Sequence, residues 1–539
     1  MKKSKLSYQT CEIAVIGGGV AGLYAGARIQ EHLNQSSNSR QLRVIIIEKE
    51  KKIGGRLKSE FFKGMKHIPI EHGAMRFSKD HKLVNSLIHD LKLKTDKFNY
   101  EQAGYILRGK KCRPNIAKDF QNIYNFHSWE RNKCPKDLME YAIEISFEEL
   151  EEGFTEKSKE EKESLIQNLI NINRYKDIRL NEINWSTFLF EALSVEAISL
   201  IKSAEGYNSN LDNISACEAM RDLYRLESEE FLYLTEGYQT LVTKLSERFK
   251  KNNGIIKCSA QLIEFQKNIE NETDEYAERM FKQFSKSKPK PEYFLKFKSK
   301  DCIEYLFCNK IILAIPKLPI KSINRVSEFF NEKKGLSDMR LNRVQEMKSL
   351  KIYMHFERDP WKKFKLAGKK IYTDGIIRMI YFLDNKNADT EESIVLVYVD
   401  QSAIHEMALP EAHFKSAGKK IKPEHDFFIK HIAKNIEDLI RIFKNNPKWE
   451  IPKVKNIAYS FWEEAYHSFI PYVRTGKFIK EIIKPVDGYD VFICGSAYSS
   501  KQSWVEGALL TTEYMLQEYF DLSQFDPNLQ DYIKDNVSW

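Results

Sequence analysis

Three glycines near the start of the chain have the spacing of a phosphate-binding turn. They are Gly17, Gly19 and Gly22. A buried strand is predicted before them, over residues 12–16, and a helix after them, from Val20 to about residue 33. The first glycine permits a tight turn, the second lets backbone approach a pyrophosphate, and the third lets the helix pack closely on the strand. The start of the helix also directs free N–H groups and its positive dipole end at the phosphates, so we expect a bound dinucleotide.

An acidic residue at the end of the next predicted strand supports this interpretation. The strand covers residues 42–48 and ends at Glu48. A carboxylate in this place accepts hydrogen bonds from the ribose hydroxyls of an adenosine, and the absence of an arginine argues against NADP. Lys49, Val20 and Ala21 are further expected contacts of the dinucleotide.

Strands and helices alternate along the rest of the chain. The predicted strands cover residues 255–265, 308–315, 351–356, 378–383, 394–399 and 491–495. The predicted helices cover residues 156–172, 238–249, 426–444 and 504–519. Residues 267–300 are polar and are interpreted as an exposed hairpin or loop, and the charge run at 157–163 as a solvated helix face.

These patterns predict an α/β (overall α+β) fold. The chain begins a Rossmann-like sheet at the N-terminus, departs from it twice to form other domains, and adds its last strand near the C-terminus. The expected parts are a dinucleotide-binding domain (1–80, 231–320 with an insert at 267–300, and 481–539), a discontinuous mixed-sheet substrate domain (81–107 and 321–480), and a helical insertion domain (108–230).

Composition narrows the class of protein. The chain has 539 residues, of which 42% are hydrophobic and 30% charged, and its net charge is +9. The charges of both signs are mixed along the chain without a basic stripe, so we expect no nucleic-acid partner. No apolar run is long enough to span a membrane, and no signal peptide is recognised at the first residues, so a cytoplasmic location is expected. The scattered cysteines suit free thiols, and no metal-ligand spacing is found.

Four further segments turn the glycine pattern into a specific resemblance. They are Ile53-Gly-Gly-Arg56, Ile70-Glu-His-Gly-Ala-Met-Arg-Phe77, Lys310-Ile-Ile-Leu-Ala-Ile-Pro316 and the run from Gly495 to Ala508, which contains Trp-Val-Glu-Gly-Ala. Together they resemble the FAD-dependent amine oxidase superfamily, and the Gly-Ala-Met-Arg and Trp-Val-Glu-Gly-Ala segments resemble its L-amino-acid oxidase and amino-acid 2-monooxygenase branch. The resemblance covers about residues 10–110, 180–265, 305–400 and 455–520.

The resemblance implies FAD as the cofactor and assigns its contacts. Beyond the residues already named, these contacts are Gly55, Arg56, Gly73, Ala74, Met75, Arg76, Leu262, Gly495, Ser496, Trp504 and Val505. Ser496 departs from the family, which usually has a glutamate at this place, and Ser503 replaces a usual glycine. The helix expected to begin near Val505 would direct its positive end at the flavin, where negative charge accumulates on reduction.

The resemblance also implies catalytic roles. Arg76 matches the arginine that binds the substrate carboxylate, for which a planar and permanently charged group is well suited. Tyr398 matches a tyrosine that donates a second hydrogen bond to that carboxylate, and Trp504 forms a wall of an aromatic slot. Lys351 matches a lysine that holds a water beside the flavin, and a buried lysine has the lowered pKa that this needs. His72 and His467 are interpreted as structural histidines, so no histidine is expected to act as the base.

The expected reaction is hydride transfer from the α-carbon of an L-α-amino acid to FAD, which gives an imino acid, then a 2-oxo acid, ammonia and hydrogen peroxide. Three alternatives stay open: a 2-monooxygenase that gives an amide and carbon dioxide, an oxidase of amines without a carboxylate, and a non-catalytic flavoprotein. Phe469, Tyr472 and Trp504 suggest a large or aromatic substrate. Oxygen is the expected second substrate, and the oligomeric state is left open, with a homodimer among the options.

Overall fold

The computed structural model describes residues 7–35, 43–148, 150, 153–207, 211, 213–225, 230–267, 278–279, 282, 291–299, 302–386, 391–400 and 427–537. A five-stranded parallel sheet, a seven-stranded mixed sheet and a group of helices form most of this part. The predicted α/β class with a Rossmann-like sheet is therefore confirmed. The domain boundaries given above stay a prediction.

The parallel sheet holds the first core. In spatial order its strands are Ile255–Lys257, Val44–Ile47, Ile13–Ile16, Lys310–Leu313 and Val491–Ile493. The second and third strands are buried at every position, because a parallel sheet is covered on both faces. Helix Val20–Gln35 packs against helices Gln239–Lys251 and Val505–Phe520. The turn at Gly17 thus lies at the carboxyl edge of the sheet, where ligands of such sheets bind.

A four-stranded sheet shares this core. Its order is Ser7–Thr10, Cys302–Cys308, Tyr293–Ser299 and Ala260–Lys267. The prediction of one strand over residues 308–315 is wrong, because the chain leaves this sheet at Cys308 and joins the parallel sheet at Lys310.

The polar segment 267–300 also needs a correction. Its last part is the strand Tyr293–Ser299, in which Tyr293, Phe294 and Leu295 are completely buried. This part is paired on both sides by antiparallel strands, so it belongs to the core and is not an exposed loop. Most of residues 268–290 lie outside the described residues.

The seven-stranded sheet forms a second layer. Its order is Val454–Phe469, Val344–Phe356, Ser393–Asp400, Met379–Leu383, Lys369–Thr373, Glu101–Leu107 and Lys110–Cys112. Successive side chains of a strand point to opposite faces. Leu350 and Ile352 therefore pack in the core covered by helix Phe427–Lys444, whereas Lys351 and Tyr353 point to the other face. Lys351 is paired with Tyr398 on the neighbouring strand.

The predicted helical region has its own apolar core. Its helices are Ala117–Gln121, Pro135–Ser146, Lys159–Ile172, Trp185–Ala192, Val195–Ala204 and Ala216–Arg225. The third begins later than predicted because Ser158 caps it, accepting a 3.3 Å hydrogen bond from the Glu161 backbone. The charge run is solvated with one exception, since Lys162 is buried and donates a 2.8 Å hydrogen bond to Glu140.

Shorter strands and helices connect the sheets and the helical region. The small strands are Ser59–Glu60, Ile70–Glu71, Phe77–Ser78, Thr95–Lys97 and Phe231–Leu234. The remaining helices are Lys82–Asp90, Lys317–Lys321, Asp338–Leu341, Pro360–Lys363, Thr475–Ile483 and Gln530–Val537. Within the described ranges, no helix combines the length and the apolar character needed to cross a bilayer. All eight cysteines are free thiols.

Candidate active site

One large cavity, of about 1840 Å³, lies where the two main sheets and the helical region meet. The parallel sheet contributes the glycine turn and Glu48, the seven-stranded sheet contributes Lys351 and Tyr398, and the helical region contributes Glu218. Most of the predicted site residues line it. The predicted residues with lining atoms are Gly17, Gly19, Val20, Ala21, Glu48, Lys49, Gly55, Arg56, Gly73, Ala74, Met75, Arg76, Leu262, Lys351, Tyr398, Gly495, Ser496, Trp504 and Val505.

The three glycines of the turn differ in what surrounds them. Gly17 has a φ of +110°, which residues with a side chain rarely adopt. A Cβ on Gly22 would lie 2.0 Å from the carbonyl oxygen of Gly17, so a side chain there would push the helix off the turn. A Cβ on Gly19 would meet no protein atom within 4 Å, and it would stand in the cavity. The cavity therefore reaches the backbone at the start of the helix.

Glu48 is held in place by the turn that it faces. One carboxylate oxygen accepts a 2.7 Å hydrogen bond from the Gly18 backbone, and the other accepts a 2.8 Å bond from the Glu50 backbone. The residue is 6% exposed and lines the cavity. Each carboxylate oxygen can accept a further bond, so the group can still bind a pair of hydroxyls.

Arg56 and Ser496 contact each other across the cavity wall. The guanidinium of Arg56 donates to the carbonyl of Ala465 at 3.0 Å and to the hydroxyl of Ser496 at 3.1 Å. Burial lowers the pKa of Arg56, and the carboxylate of Glu464 opposes that effect. The serine that departs from the family pattern thus has a partner, although its short side chain carries no charge to balance the arginine.

The segment before Arg76 is fixed by hydrogen bonds to three successive carbonyls. The Glu71 carbonyl accepts from the Tyr353 hydroxyl at 2.9 Å. The His72 carbonyl accepts from Ser460 at 2.8 Å and from the indole of Trp462 at 2.6 Å. The next carbonyl, of Gly73, accepts from Lys351. These donors come from the seven-stranded sheet, which therefore sets the position of Arg76, and the sequence interpretation missed all of them except Lys351.

Lys351 is 3% exposed and forms a tightly coupled pair with Glu71. Burial lowers the pKa of the Lys351 ammonium, while Glu71 raises it and Arg76 lowers it further. Burial in turn raises the pKa of Glu71, against hydrogen bonds from Ser59 and from the Tyr238 backbone at 2.7 Å each. The pKa values of both groups therefore move toward neutral pH, because an apolar environment penalises charge.

Arg76 lies among aromatic rings. Its guanidinium carbon is 4.0 Å from the ring centroid of Phe231, 5.6 Å from that of Phe98 and 6.0 Å from that of Trp504. Trp504 stacks on Phe231 at 5.8 Å and precedes helix Val505–Phe520 directly. Among the described residues, no carboxylate lies within 4.0 Å of the Arg76 guanidinium. This cation therefore faces the cavity without an anionic partner from those residues.

Phenols complete the surroundings of the arginine. Burial disfavours its charge, but the nearby tyrosines outweigh that effect and raise the pKa of Arg76; they are Tyr381, Tyr207, Tyr372 and Tyr398. Tyr207 contacts Tyr398 edge to face at 5.4 Å. Of these four, sequence interpretation found only Tyr398. The expectation for Tyr472 is wrong, because it is 74% exposed at the surface. Phe469 lines the cavity and packs on Phe478.

The two histidines have structural contacts. His72 lies 2.9 Å from Glu60, and His467 lies 3.4 Å from Glu464. Burial lowers the pKa of His467, although Glu464 opposes it. A search of the described residues finds no group of His, Cys, Asp and Glu that could hold a metal ion.

Comparison with known proteins identifies the class of this site. Residues 20–417 match the model of the family of flavin containing amine oxidoreductases. The chain belongs to this family. It is 20% identical over 542 residues to aplysianin-A of Aplysia kurodai, covering 95% of this chain and 90% of the relative. It is 28% identical over 144 residues to an L-amino-acid oxidase of Mus musculus, covering 26% of this chain and 21% of the relative.

Solved structures show the same fold. Putrescine oxidase bound to putrescine superposes with a TM-score of 0.61 at 14% identity, over 96% of this chain and 100% of the other. Cyclohexylamine oxidase from Brevibacterium oxydans superposes with a TM-score of 0.59 at 14% identity, over 94% of this chain and 99% of the other.

FAD is the cofactor of this flavoprotein, and the residues present fit it. The open space at Gly19 and the φ of +135° at Gly495, which also has open space beside it, leave room for a ligand against the backbone. Two buried polar atoms of residues that line the cavity, Ser468 Oγ and His467 Nδ1, have no hydrogen-bond partner among the described residues. Such atoms are stabilised by a polar ligand.

Proposed function

We propose that this flavoprotein oxidises an L-α-amino acid. One amino acid, one oxygen molecule and one water would give one 2-oxo acid, one ammonium ion and one hydrogen peroxide. FAD, when bound, supplies the two-electron acceptor for this chemistry. The observation that carries the proposal is the guanidinium of Arg76, which faces the cavity without a carboxylate partner among the described residues.

Arg76 is partly buried on the cavity wall, where a bound anion would pair with its charge. The planar guanidinium can bind both oxygens of a carboxylate at once, and such charge-assisted bonds are stronger than neutral ones. The rings of Phe231, Phe98 and Trp504 pack around its side chain and restrict it. We infer that Arg76 binds the α-carboxylate of the substrate.

Tyr398 and Trp504 would complete the substrate pocket. Burial raises the pKa of Tyr398, so its hydroxyl stays protonated and can donate a hydrogen bond to a carboxylate. Trp504 presents an indole beside the guanidinium and fixes one wall of the pocket.

Lys351 would act as the group that holds a water or moves a proton. Its amine is fixed by the carbonyls of Glu71, at 3.3 Å, and Gly73. Because burial lowers its pKa, a neutral amine that can accept a proton is available near neutral pH.

The comparisons support the family and leave the substrate to experiment. The mouse relative is named an L-amino-acid oxidase, whereas the solved neighbours are named for putrescine and cyclohexylamine, which carry no carboxylate. Arg76 is the feature of this chain that favours a carboxylate.

A panel of L-amino acids with detection of hydrogen peroxide and mass analysis of the product tests the proposal. We expect peroxide and a 2-oxo acid from at least one L-amino acid and from none of the D-enantiomers. An amide shorter by one carbon would instead identify a 2-monooxygenase. If the FAD-loaded protein oxidises amines but no amino acid, or neither, the proposal is wrong.

A further inference from the structure

A second cation lines the cavity near Arg76. Lys370 lies on strand Lys369–Thr373, where it is paired with Tyr381 on one side and with Gln102 on the other. Its ammonium is 5.2 Å from the ring centroid of Tyr372, which lies two residues further along the same strand and also lines the cavity. Side chains two residues apart share a face of a strand, so Lys370 and Tyr372 point into the cavity together.

Lys370 has no ion pair among the described residues, since none of their carboxylate oxygens lies within 4.0 Å of its ammonium. Burial, and then the positive charge of Arg76, lower its pKa to about 8, while Glu205 acts in the opposite direction. The ammonium is therefore still mostly protonated at neutral pH, and it is close enough to Arg76 for the two charges to repel. A ligand with one anionic group would relieve only one of the two cations.

The helical region contributes Lys136, Glu205, Glu218 and Asp222 to the cavity lining. Glu218 is bound by Arg221 and by the hydroxyl of Thr475, so its charge is balanced within the protein. Glu205 contributes partial compensation to Lys370 without forming an ion pair with it. Tyr207 and Tyr372 line the cavity near the arginine, and their phenols can donate hydrogen bonds to a carboxylate.

We propose that the substrate is a dicarboxylic L-α-amino acid, with its α-carboxylate on Arg76 and its side-chain carboxylate on Lys370. This inference rests on the proposed function, since it needs Arg76 to bind the α-carboxylate. Aspartate, glutamate and 2-aminoadipate present the second carboxylate at increasing distance from the first. Lys370 acts here as a specificity residue.

The test compares kcat/KM at pH 7 for these three acids with glutamine, leucine and lysine. We expect one of the dicarboxylic acids to be the best substrate. Lys370→Gln should lower kcat/KM for that acid by roughly 10- to 100-fold and leave glutamine within a factor of about 3, because the variant loses one hydrogen bond between charged groups. Lys370→Glu should reverse the order of substrate preference, so that lysine becomes a better substrate than the dicarboxylic acids.

A matched control is available on the same strand. Lys369 is the preceding residue, on the opposite face, and lies 3.9 Å from Glu101. Lys369→Gln should leave the substrate order unchanged. A binding readout that needs no turnover is the thermal stabilisation by glutarate, which should exceed that by butyrate in the parent and not in Lys370→Gln.

The two proposals fail differently. If leucine or glutamine equals every dicarboxylic acid, or if Lys370→Gln leaves their ratio unchanged, this inference is overturned while amino-acid oxidation stands. If lysine is the best substrate of the parent, the acidic residues of the cavity dominate and the inference is equally wrong. If no amino acid is oxidised, both proposals fall.

Discussion

Replacing Arg76 by methionine separates binding of substrate from stability of the fold. The methionine keeps most of the apolar contact with Phe231 and removes the charge. If the guanidinium binds the α-carboxylate, its loss leaves that carboxylate unpaired in a buried pocket, which costs about 2–5 kcal/mol. This corresponds to a fall in kcat/KM of roughly 30- to 5000-fold for the amino acid. The matching amine lacks the carboxylate and cannot use the arginine, so we expect it to leave the flavin oxidised in both the parent and the variant.

The stability of the same variant should not fall. Arg76 has no carboxylate partner among the described residues, so Arg76→Met breaks no ion pair with those residues in the substrate-free protein. The melting temperature should change little. Arg221→Met is the matched control, because Arg221 is 8% exposed and ion-paired with Glu218. Breaking that buried pair should cost about 3–5 kcal/mol and lower the melting temperature.

The assay is anaerobic stopped-flow reduction of the flavin, run beside thermal unfolding of both variants. The reasoning is refuted if Arg76→Met retains full activity on the amino acid. It is also refuted if Arg76→Met unfolds as readily as Arg221→Met, because the arginine would then be a structural residue.

Substitutions at four further positions test other parts of the site. Gly22→Ala places a Cβ 2.0 Å from the carbonyl oxygen of Gly17 and should lower both the melting temperature and the FAD content, whereas Gly19→Ala meets no protein atom and should lower FAD content alone. In the parent the pKa of Lys351 is lowered to about 7, so the rate of flavin reduction should rise as the pH rises through that value and the amine becomes neutral. Lys351→Met should remove this acidic limb of the pH profile. Ser496→Ala removes a 3.1 Å hydrogen bond from a guanidinium and should weaken FAD binding by about 1 kcal/mol in a fluorescence titration, while Ser496→Glu should strengthen it.

Each of these has a clear opposing result. Equal melting temperatures for the two glycine variants would contradict the close approach at the turn. If Lys351→Met keeps the acidic limb of the pH profile, that limb belongs to a group other than Lys351. The limb that comes from deprotonation of the substrate amine should be present in both proteins and serves as the internal reference. Tighter FAD binding by Ser496→Ala would contradict a supporting role for the hydroxyl.

Local patterns predicted the parallel sheet and the residues at its carboxyl edge. The strands Ile13–Ile16 and Val44–Ile47 are continuous apolar runs, followed directly by Gly17 and by Glu48. Each pattern lies within one short segment, so it can be recognised without knowing the tertiary structure. The break at Cys308 was missed because both halves of that segment are apolar, and only the identity of the neighbouring strands separates them.

The pocket around Arg76 could not be predicted in the same way. Tyr207, Tyr372 and Tyr381 come from separate elements and become neighbours only in the tertiary fold. A tyrosine in an apolar strand resembles a core residue, and Lys370, beside another lysine, resembles a surface residue. Only the structure shows that Lys370 and Tyr372 project from the face of their strand that lines the cavity.

Anaerobic titration of the FAD-loaded protein tests the central claim most directly. The oxidised-flavin absorbance should be bleached by an L-α-amino acid and left unchanged by the corresponding amine that lacks the carboxylate. Bleaching by the amine alone, or by neither compound across the panel, would contradict a cavity built around a carboxylate-binding arginine.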